Sequence, residues 1–281
     1  MFLVTNVYSQ EIINLYNDDI PMSKKTDLTE EFTSGMYRGV TKPTLEVFLP
    51  SSENAKGIGV IVIPGGGYSV VVYQGEGVST AKELAANGIT AFVLKYRLPN
   101  DDIMLDKKNG PLQDAQQAIK LVRENAQKWG VDPQKIGVIG FSAGGHLASS
   151  LATRFNNHLV ENENKTSLRP DFQIVVYPVI SMTDDLTHPD SRKQLLGASP
   201  SEEDIELFSS QMQVTADCPP AYITHAADDK LVDVDNSIDY FEALRKNNVP
   251  VEMHIYPKGG HGFIFRNKGW IEPLLKWIDQ F

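Results

Sequence analysis

Cysteine is nearly absent: Cys218 is the one thiol in 281 residues. That excludes an internal disulfide framework and a cysteine-rich metal site, and it fits a reducing compartment. Basic residues are in the minority, with 26 Lys and Arg against 36 Asp and Glu and a formal charge of −10. Such a balance favours solubility and argues against a nucleic-acid surface or an anionic membrane as partner. No apolar stretch approaches the roughly eighteen residues of a membrane-spanning helix. The opening segment MFLVTNVYSQEIINLY has no basic region ahead of an apolar run and does not read as a secretory leader. A soluble, cytoplasmic protein is the expectation. H-E-x-x-H and H-x₃₋₅-H spacings are missing, so no metal and no cofactor is expected. Repeats of solenoid period and low-complexity tracts are missing too.

What is present has ordinary globular proportions, 41% hydrophobic with 21 glycines and 16 prolines. Residues 1–43 are polar and broken and read as an N-terminal arm on the outside of the domain. Residues 45–49 alternate and read as an edge strand. Short runs rich in β-branched residues follow at 58–63, 89–94, 136–139, 172–177, 221–224 and 251–256, as expected of strands buried on both faces of a sheet. Amphipathic helical stretches lie between and after them, at 77–87, 111–129, 234–248 and 269–280. Asn87-Gly88 supplies the left-handed stop of the first. Strand–helix alternation predicts an α/β fold: a single domain with a mostly parallel sheet, helices on both faces and right-handed crossovers. Two insertions, 154–169 and 178–220, leave the ends of core strands and are placed as a roof over the C-terminal edge of the sheet. The longer one carries a short helix at 201–208.

Four segments carry chemistry. Gly140-Phe141-Ser142-Ala143-Gly144 follows a strand and opens a helix, the setting of a nucleophile elbow. A turn that tight has no room for side chains two residues either side of the serine, and it leaves Ser142 at a helix N-terminus. Pro64-Gly65-Gly66-Gly67-Tyr68 follows the strand at 58–63, and its glycines can turn backbone amides toward a substrate oxygen. With the amide of Ala143 they compose an oxyanion hole. The competing reading, a phosphate loop, lacks the following Lys-Ser/Thr pair.

Asp228-Asp229 sits just past the strand at 221–224, where a carboxylate can hold an imidazole by its Nδ1–H. The two carboxylates are equal candidates on local pattern, and either also reads as a turn or cap residue. Gly259-Gly260-His261-Gly262 follows the last strand and can swing an imidazole over the serine. His146, His158, His188, His225 and His254 have blander readings, on the elbow helix, in the insertions or within strands. Oxyanion loop, serine, acid and histidine occur in the chain order of an α/β-hydrolase triad, each at the end of a predicted strand.

On these motifs the chain resembles α/β-hydrolase-fold carboxylesterases of the acetyl esterase and hormone-sensitive-lipase-related type, in particular the bacterial subgroup labelled sugar hydrolases or acetylxylan-esterase-like. The resemblance runs from about Leu45 to Phe281. It is carried by PGGGY (64–68), FVLKYRLP (92–99), WGVDPQKIGVIGFSAGGHLA (129–148), SRKQLLG (191–197), CPPAYITHAADDKLVDVDNS (218–237) and HIYPKGGHGF (254–263). It departs from its relatives at Asp233, where proline is common, and at the oxyanion loop, where Pro64 takes the place of the usual histidine.

The resemblance implies a serine carboxylesterase without cofactor or metal. Ser142 is then the nucleophile, His261 the base, and Gly66, Gly67 and Ala143 the oxyanion donors. It selects Asp229 as the acid, by the pattern Asp229-Lys230-Leu231-Val232, with Asp228 the fallback. Tyr68 and Glu76 are expected to line the acyl or alcohol pocket. The implied substrate is a short acyl ester, acetyl above all, on a sugar or oligosaccharide alcohol. The polar roof residues Thr183, Asp184, Asp185, His188, Asp190, Ser191 and Arg192 suit such an alcohol. A prolyl-oligopeptidase-type peptidase would need a propeller or large cap that 281 residues do not supply. A non-catalytic hydrolase-fold receptor usually lacks a triad member, and none is lacking here.

Overall fold

Apolar runs with β-branched residues become strands here because both faces of the sheet are covered. The computed structural model describes residues 9–17 and 19–281; residues 1–8, the first part of the segment read as lacking a leader, lie outside the described residues. The described elements open with β1 (Ser9–Asn14), the small hairpin of β2 (Glu31–Thr33) and β3 (Met36–Arg38), and β4 (Thr44–Phe48). There follow β5 (Gly59–Ile63), a π-helical turn at Tyr73–Val78, α1 (Ser79–Ala86), β6 (Thr90–Lys95), α2 (Gly110–Glu124), β7 (Ile136–Phe141) and α3 (Ala143–Thr153). After β8 (Gln173–Val176) come α4 (Pro189–Leu196) and α5 (Glu202–Phe208), then β9 (Ala221–Ala226), α6 (Asp235–Lys246), β10 (Val251–Tyr256) and α7 (Ile271–Ile278).

Among the described residues, eight strands form one sheet in the order β1-β4-β6-β5-β7-β8-β9-β10. From β6 to β10 every neighbouring pair is parallel, while β1 on β4 and β4 on β6 are antiparallel. Every residue of β5, β6, β7, β8 and β9 is buried. Each buried Val or Ile side chain contributes about 1.5–3 kcal/mol relative to exposure. α3 packs on β7 and β8, and α1 on β6.

Two strand expectations need correction. The strand read at 45–49 is not the edge: β1 from the N-terminal arm pairs with β4 and takes that place. The strand at 251–256 is not buried on both faces. It is the opposite edge, and no residue of β10 is fully buried, because a terminal strand has one sheet neighbour. The roof segment also holds a helix the pattern did not reveal, α4, begun by Pro189 and capped by His188.

A buried ion pair fixes the arm to the domain. Arg97, with no exposed surface, meets Asp114 on α2 at 2.7 Å. Its Nη1 also donates to Pro21 O and Ser23 Oγ at 2.9 Å each, and Tyr16 Oη donates to Asp114 at 3.0 Å. Removing one partner of such a pair strands the other without water, a loss of about 3–5 kcal/mol.

Parallel strands deliver their C-terminal loops to a single edge. The chain leaves β5 for β6 on one side and later returns to β7 on the other, so the topological switch point lies between β5 and β7. Crevices of doubly wound sheets open there. The glycine loop after β5 and the serine turn after β7 flank it.

Candidate active site

Ser142 joins β7 to α3 in a backbone conformation that L-residues seldom adopt, φ 52° and ψ −119°. Such strain persists only where the surroundings enforce it. They do so through the flanking glycines. A Cβ on Gly140 would stand 2.1 Å from Gly144 O, and one on Gly144 would stand 2.2 Å from Ile63 O. Ser142 N donates to Val176 O at 3.0 Å, and Ser142 O accepts from Val179 N at 3.1 Å. The hydroxyl is thereby held at the sheet edge, with Ser142 5% exposed.

Ser142 Oγ lies 2.9 Å from His261 Nε2. His261 Nδ1 lies 2.7 Å from Asp229 Oδ2. The other carboxylate oxygen, Oδ1, accepts from Leu231 N at 2.9 Å and Val232 N at 3.1 Å. Burial opposes ionisation of Asp229, but the hydrogen bonds from His225 and His261 and the charge of His261 outweigh it, holding the carboxyl well below the usual range. Asp228 is brought to a different task. Its Oδ1 accepts from Gly260 N at 2.8 Å and braces the loop that carries His261. Of the two carboxylates, Asp229 meets the His261 ring and Asp228 the Gly260 amide.

The oxyanion loop winds through three successive residues of positive φ: Gly66 at 121°, Gly67 at 62° and Tyr68 at 60°. A backbone of this kind gathers N–H groups into an anion-binding concavity. Among the described residues, no protein acceptor meets the Gly66 or Gly67 amide. Ala143 opens α3, where first-turn amides have no helical partner. These three amides are therefore available to a ligand oxygen.

Tyr68 and Glu76, expected to line the pocket, spend their polar atoms on inward partners. Both are buried, at 1% and 5% exposed. Tyr68 points inward, and its hydroxyl meets His146 Nδ1 at 2.7 Å; His146 Nε2 meets Phe208 O at 2.7 Å. Phe208 O can only accept, so His146 carries its proton on Nε2 and Tyr68 donates to Nδ1. Burial lowers the His146 pKa to about 4. The chain Tyr68–His146–Phe208 ties the oxyanion loop to the roof segment. Glu76 accepts from Gly65 N at 2.6 Å and from Tyr177 Oη at 3.0 Å, so it also stands behind the loop.

Three further residues take places at the site that the sequence did not assign them. His225, next to last in β9 and without exposed surface, places Nε2 3.1 Å from Asp229 Oδ2. Tyr177, just past β8, lays its ring 4.7 Å from that of His261. His188 caps α4, with Nδ1 2.8 Å from Ser191 Oγ. Ser191 Oγ in turn lies 3.9 Å from where a Cβ on Gly67 would stand, so α4 roofs the oxyanion loop. The signal available for His225 was its spacing of four from Asp229; the capping role of His188 and the place of Tyr177 follow from how the loops close. Among the described residues, no group of three or more His, Cys, Asp or Glu side chains is arranged to hold a metal ion.

A hydroxyl, an imidazole and a carboxylate in line, facing free backbone amides at a sheet switch point, define an α/β-hydrolase, and solved structures share the fold. The chain belongs to the BD-FAE family, whose model matches residues 45–244. It is 37% identical over 250 residues to an acetylxylan esterase of Xylanibacter ruminicola, covering 88% of this chain and 48% of that protein. It is also 37% identical over 235 residues to endo-1,4-beta-xylanase B of Butyrivibrio fibrisolvens, covering 81% of this chain and 36% of that protein. The matches thus span about half the length of these curated relatives, or less. The crystal structure of an acetyl ester-xyloside bifunctional hydrolase from Caldicellulosiruptor lactoaceticus superimposes with a TM-score of 0.81 at 34% identity, covering 98% of each chain. Among the described residues, no helix is long and apolar enough to cross a membrane.

Proposed function

We propose that this protein is a serine carboxylesterase that removes short acyl groups, acetyl above all, from sugar or oligosaccharide esters, and that it works in the cytoplasm as one catalytic domain. The observation that carries the reading is the unbroken chain Ser142 Oγ–His261 Nε2 at 2.9 Å and His261 Nδ1–Asp229 Oδ2 at 2.7 Å. His261 takes the hydroxyl proton as Ser142 Oγ attacks the ester carbonyl. The amides of Gly66, Gly67 and Ala143 receive the oxyanion. Asp229 fixes the tautomer of His261 and stabilises its charged form. His261 then protonates the departing alcohol, and water, activated by the same imidazole, releases the acid from the acyl-enzyme. The carbohydrate part of the reading draws on the acetylxylan esterase and the acetyl ester-xyloside hydrolase to which the chain is similar.

Treatment with a fluorophosphonate probe, followed by peptide mass spectrometry, tests the chemistry. Modification at Ser142 is expected, together with acetate release from acetylated xylo-oligosaccharides. A protein left unmodified, or modified elsewhere, would overturn the assignment.

A further inference from the structure

Glu76 is a buried carboxylate at the site for which the mechanism above has no use. It belongs to the π-helical turn Tyr73–Val78, an irregularity frequently found at functional sites. Its two oxygens have separate partners, Gly65 N at 2.6 Å and Tyr177 Oη at 3.0 Å. A Cβ on Gly65 would stand 2.9 Å from Ser142 Cβ and 3.1 Å from Glu76 Oε2, so the carboxylate lies directly behind the nucleophile. Tyr177 extends the link to the other side of the site, its ring 4.7 Å from that of His261. One side chain therefore touches the oxyanion loop and the ring that supports the general base.

Burial of a carboxylate is costly unless a counter-charge or several donors meet it. Among the described residues neither lysine nor arginine pairs with Glu76. Burial raises its pKa, opposed by the Gly65 amide, the Tyr177 hydroxyl and the charge of His261. A brace alone would need no charge, since glutamine has the same shape, an acceptor for Gly65 N–H and a donor for Tyr177. The one positive charge that forms nearby is the imidazolium created when His261 takes the serine proton. A negative charge facing it acts more strongly in the transition state than in the ground state, which is the condition for raising kcat.

Resting on the esterase reading, we propose that Glu76 is a positioning residue with two duties: its carboxylate ties Gly65 of the oxyanion loop to Tyr177 beneath His261, and its negative charge stabilises the imidazolium formed as Ser142 attacks. The titratable groups that share this environment are Asp229 after β9, His225 on β9, Tyr177 after β8, His188 of the roof and Tyr96 after β6. Asp229 acts at Nδ1 of the imidazole; Glu76 acts from behind the serine.

The test compares Glu76→Gln with Glu76→Leu, with rates normalised to fluorophosphonate-reactive sites. Glu76→Gln keeps the tie and removes the charge. Its kcat is expected to fall by about tenfold or more, the magnitude of a charge pair across a partly buried site, with KM for a small ester within about twofold. The acid limb of its pH–rate profile is expected to move to lower pH, because an imidazole without an anionic neighbour is harder to protonate. Glu76→Leu loses the tie as well and is expected to fall further. Tyr177→Phe keeps the ring and cuts the tie on the His261 side; its kcat is expected to fall, by less than that of Glu76→Leu. Should Glu76→Gln show the wild-type kcat and acid limb, the charge is idle and the proposal is overturned. A lowered kcat with an unmoved limb in Glu76→Gln overturns it equally. A wild type that takes no probe at Ser142 sinks the esterase reading and this proposal together; probe at Ser142 with an unaltered Glu76→Gln profile sinks this proposal alone.

Discussion

His225 Nε2 lies 3.1 Å from Asp229 Oδ2, the same carboxylate oxygen that His261 Nδ1 meets at 2.7 Å. His225 Nε2 also lies 3.1 Å from Val232 O. Carboxylate and carbonyl both accept, so the proton of His225 is fixed on Nε2. Its Nδ1 is held by Ser237 Oγ at 2.8 Å. With two amides on Oδ1 and two imidazoles on Oδ2, the acceptor capacity of Asp229 is filled and its plane is locked. His225→Leu releases one of those four restraints. We expect kcat to fall roughly ten- to a hundredfold, as when a supporting partner of a site ligand is lost, with KM little changed and partial recovery in His225→Gln. Wild-type kcat per active site in the Leu variant would show that His225 merely fills space.

Asp229→Asn and Asp228→Asn separate the adjacent acids. Asparagine at 229 faces His261 Nδ1 with an amide that favours the wrong tautomer, and losses of about 10⁴ in kcat are typical of that change. Asparagine at 228 still offers an oxygen to Gly260 N, the hydrogen bond by which Asp228 braces the histidine loop. Its kcat is expected to stay within about threefold of wild type, well short of the loss for a catalytic acid. Steady-state kinetics of the two variants decide the matter, and the reverse ranking would transfer the acid to Asp228.

Ser142→Ala is expected to remove acyl-enzyme formation and lower kcat by about 10⁴–10⁶. The fold should survive, because the backbone bonds that hold the turn, Ser142 N to Val176 O and Val179 N to Ser142 O, do not involve the side chain. Burst kinetics with a chromogenic ester, beside a circular dichroism spectrum, provide the check. More than a tenth of wild-type activity in a folded variant would remove Ser142 from the nucleophile's role.

The parts of this architecture that were legible in advance are those set by local chemistry. Gly140 and Gly144 announce a turn too tight for side chains, and the β-branched runs announce strands covered on both faces. Parallel strands then bring Ser142, Asp229 and His261 to one edge without further information. What local pattern could not supply was direction. A tyrosine after three glycines can face solvent or core; Tyr68 faces the core because buried His146 offers it an acceptor. Glu76 turns inward because Gly65 N and Tyr177 Oη await it there. β1 went unread because an edge strand needs apolar residues on one face only, and Ile12 is 66% exposed. α4 was hidden in a polar segment, its start marked by a histidine cap rather than by Ser, Thr, Asp or Asn.

His146 predicts a pH dependence of stability. In the folded chain its pKa is lowered to about 4 by burial, against about 6.5 for an exposed imidazole. Between these values the unfolded chain binds a proton that the native state refuses, so stability is full above about pH 6.5 and falls as pH drops toward 4, by roughly 3 kcal/mol in all. His146→Gln removes this titration. It is expected to be less stable than wild type at pH 8, through the disturbed Tyr68 and Phe208 bonds, yet to lose less on acidification. Urea unfolding at pH 8, 6 and 4.5 measures the two slopes; parallel slopes would dismiss His146 as their source.

Acyl-chain preference follows from what surrounds the serine. The loop behind it is closed by buried Tyr68 and Glu76, and α4 lies over the oxyanion loop with Ser191 toward Gly67. The roof offers polar groups more than an apolar surface. Thr183, Asp184, His188 and Arg192 lie in it, although Arg192 is already paired with Asp184 at 2.6 Å and His188 with Ser191. Each further methylene of an acyl chain gains about 0.8 kcal/mol only where an apolar pocket receives it. Where no such pocket receives it, a longer chain gains nothing. We therefore expect kcat/KM on p-nitrophenyl esters to be highest at C2 and to fall steadily toward C12, with acetate released from acetylated xylo-oligosaccharides. A preference for C8 or longer, with a rise in rate at an oil–water interface, would contradict the short-acyl assignment. High C2 activity with no acetate from any sugar ester would keep the esterase and take away its carbohydrate.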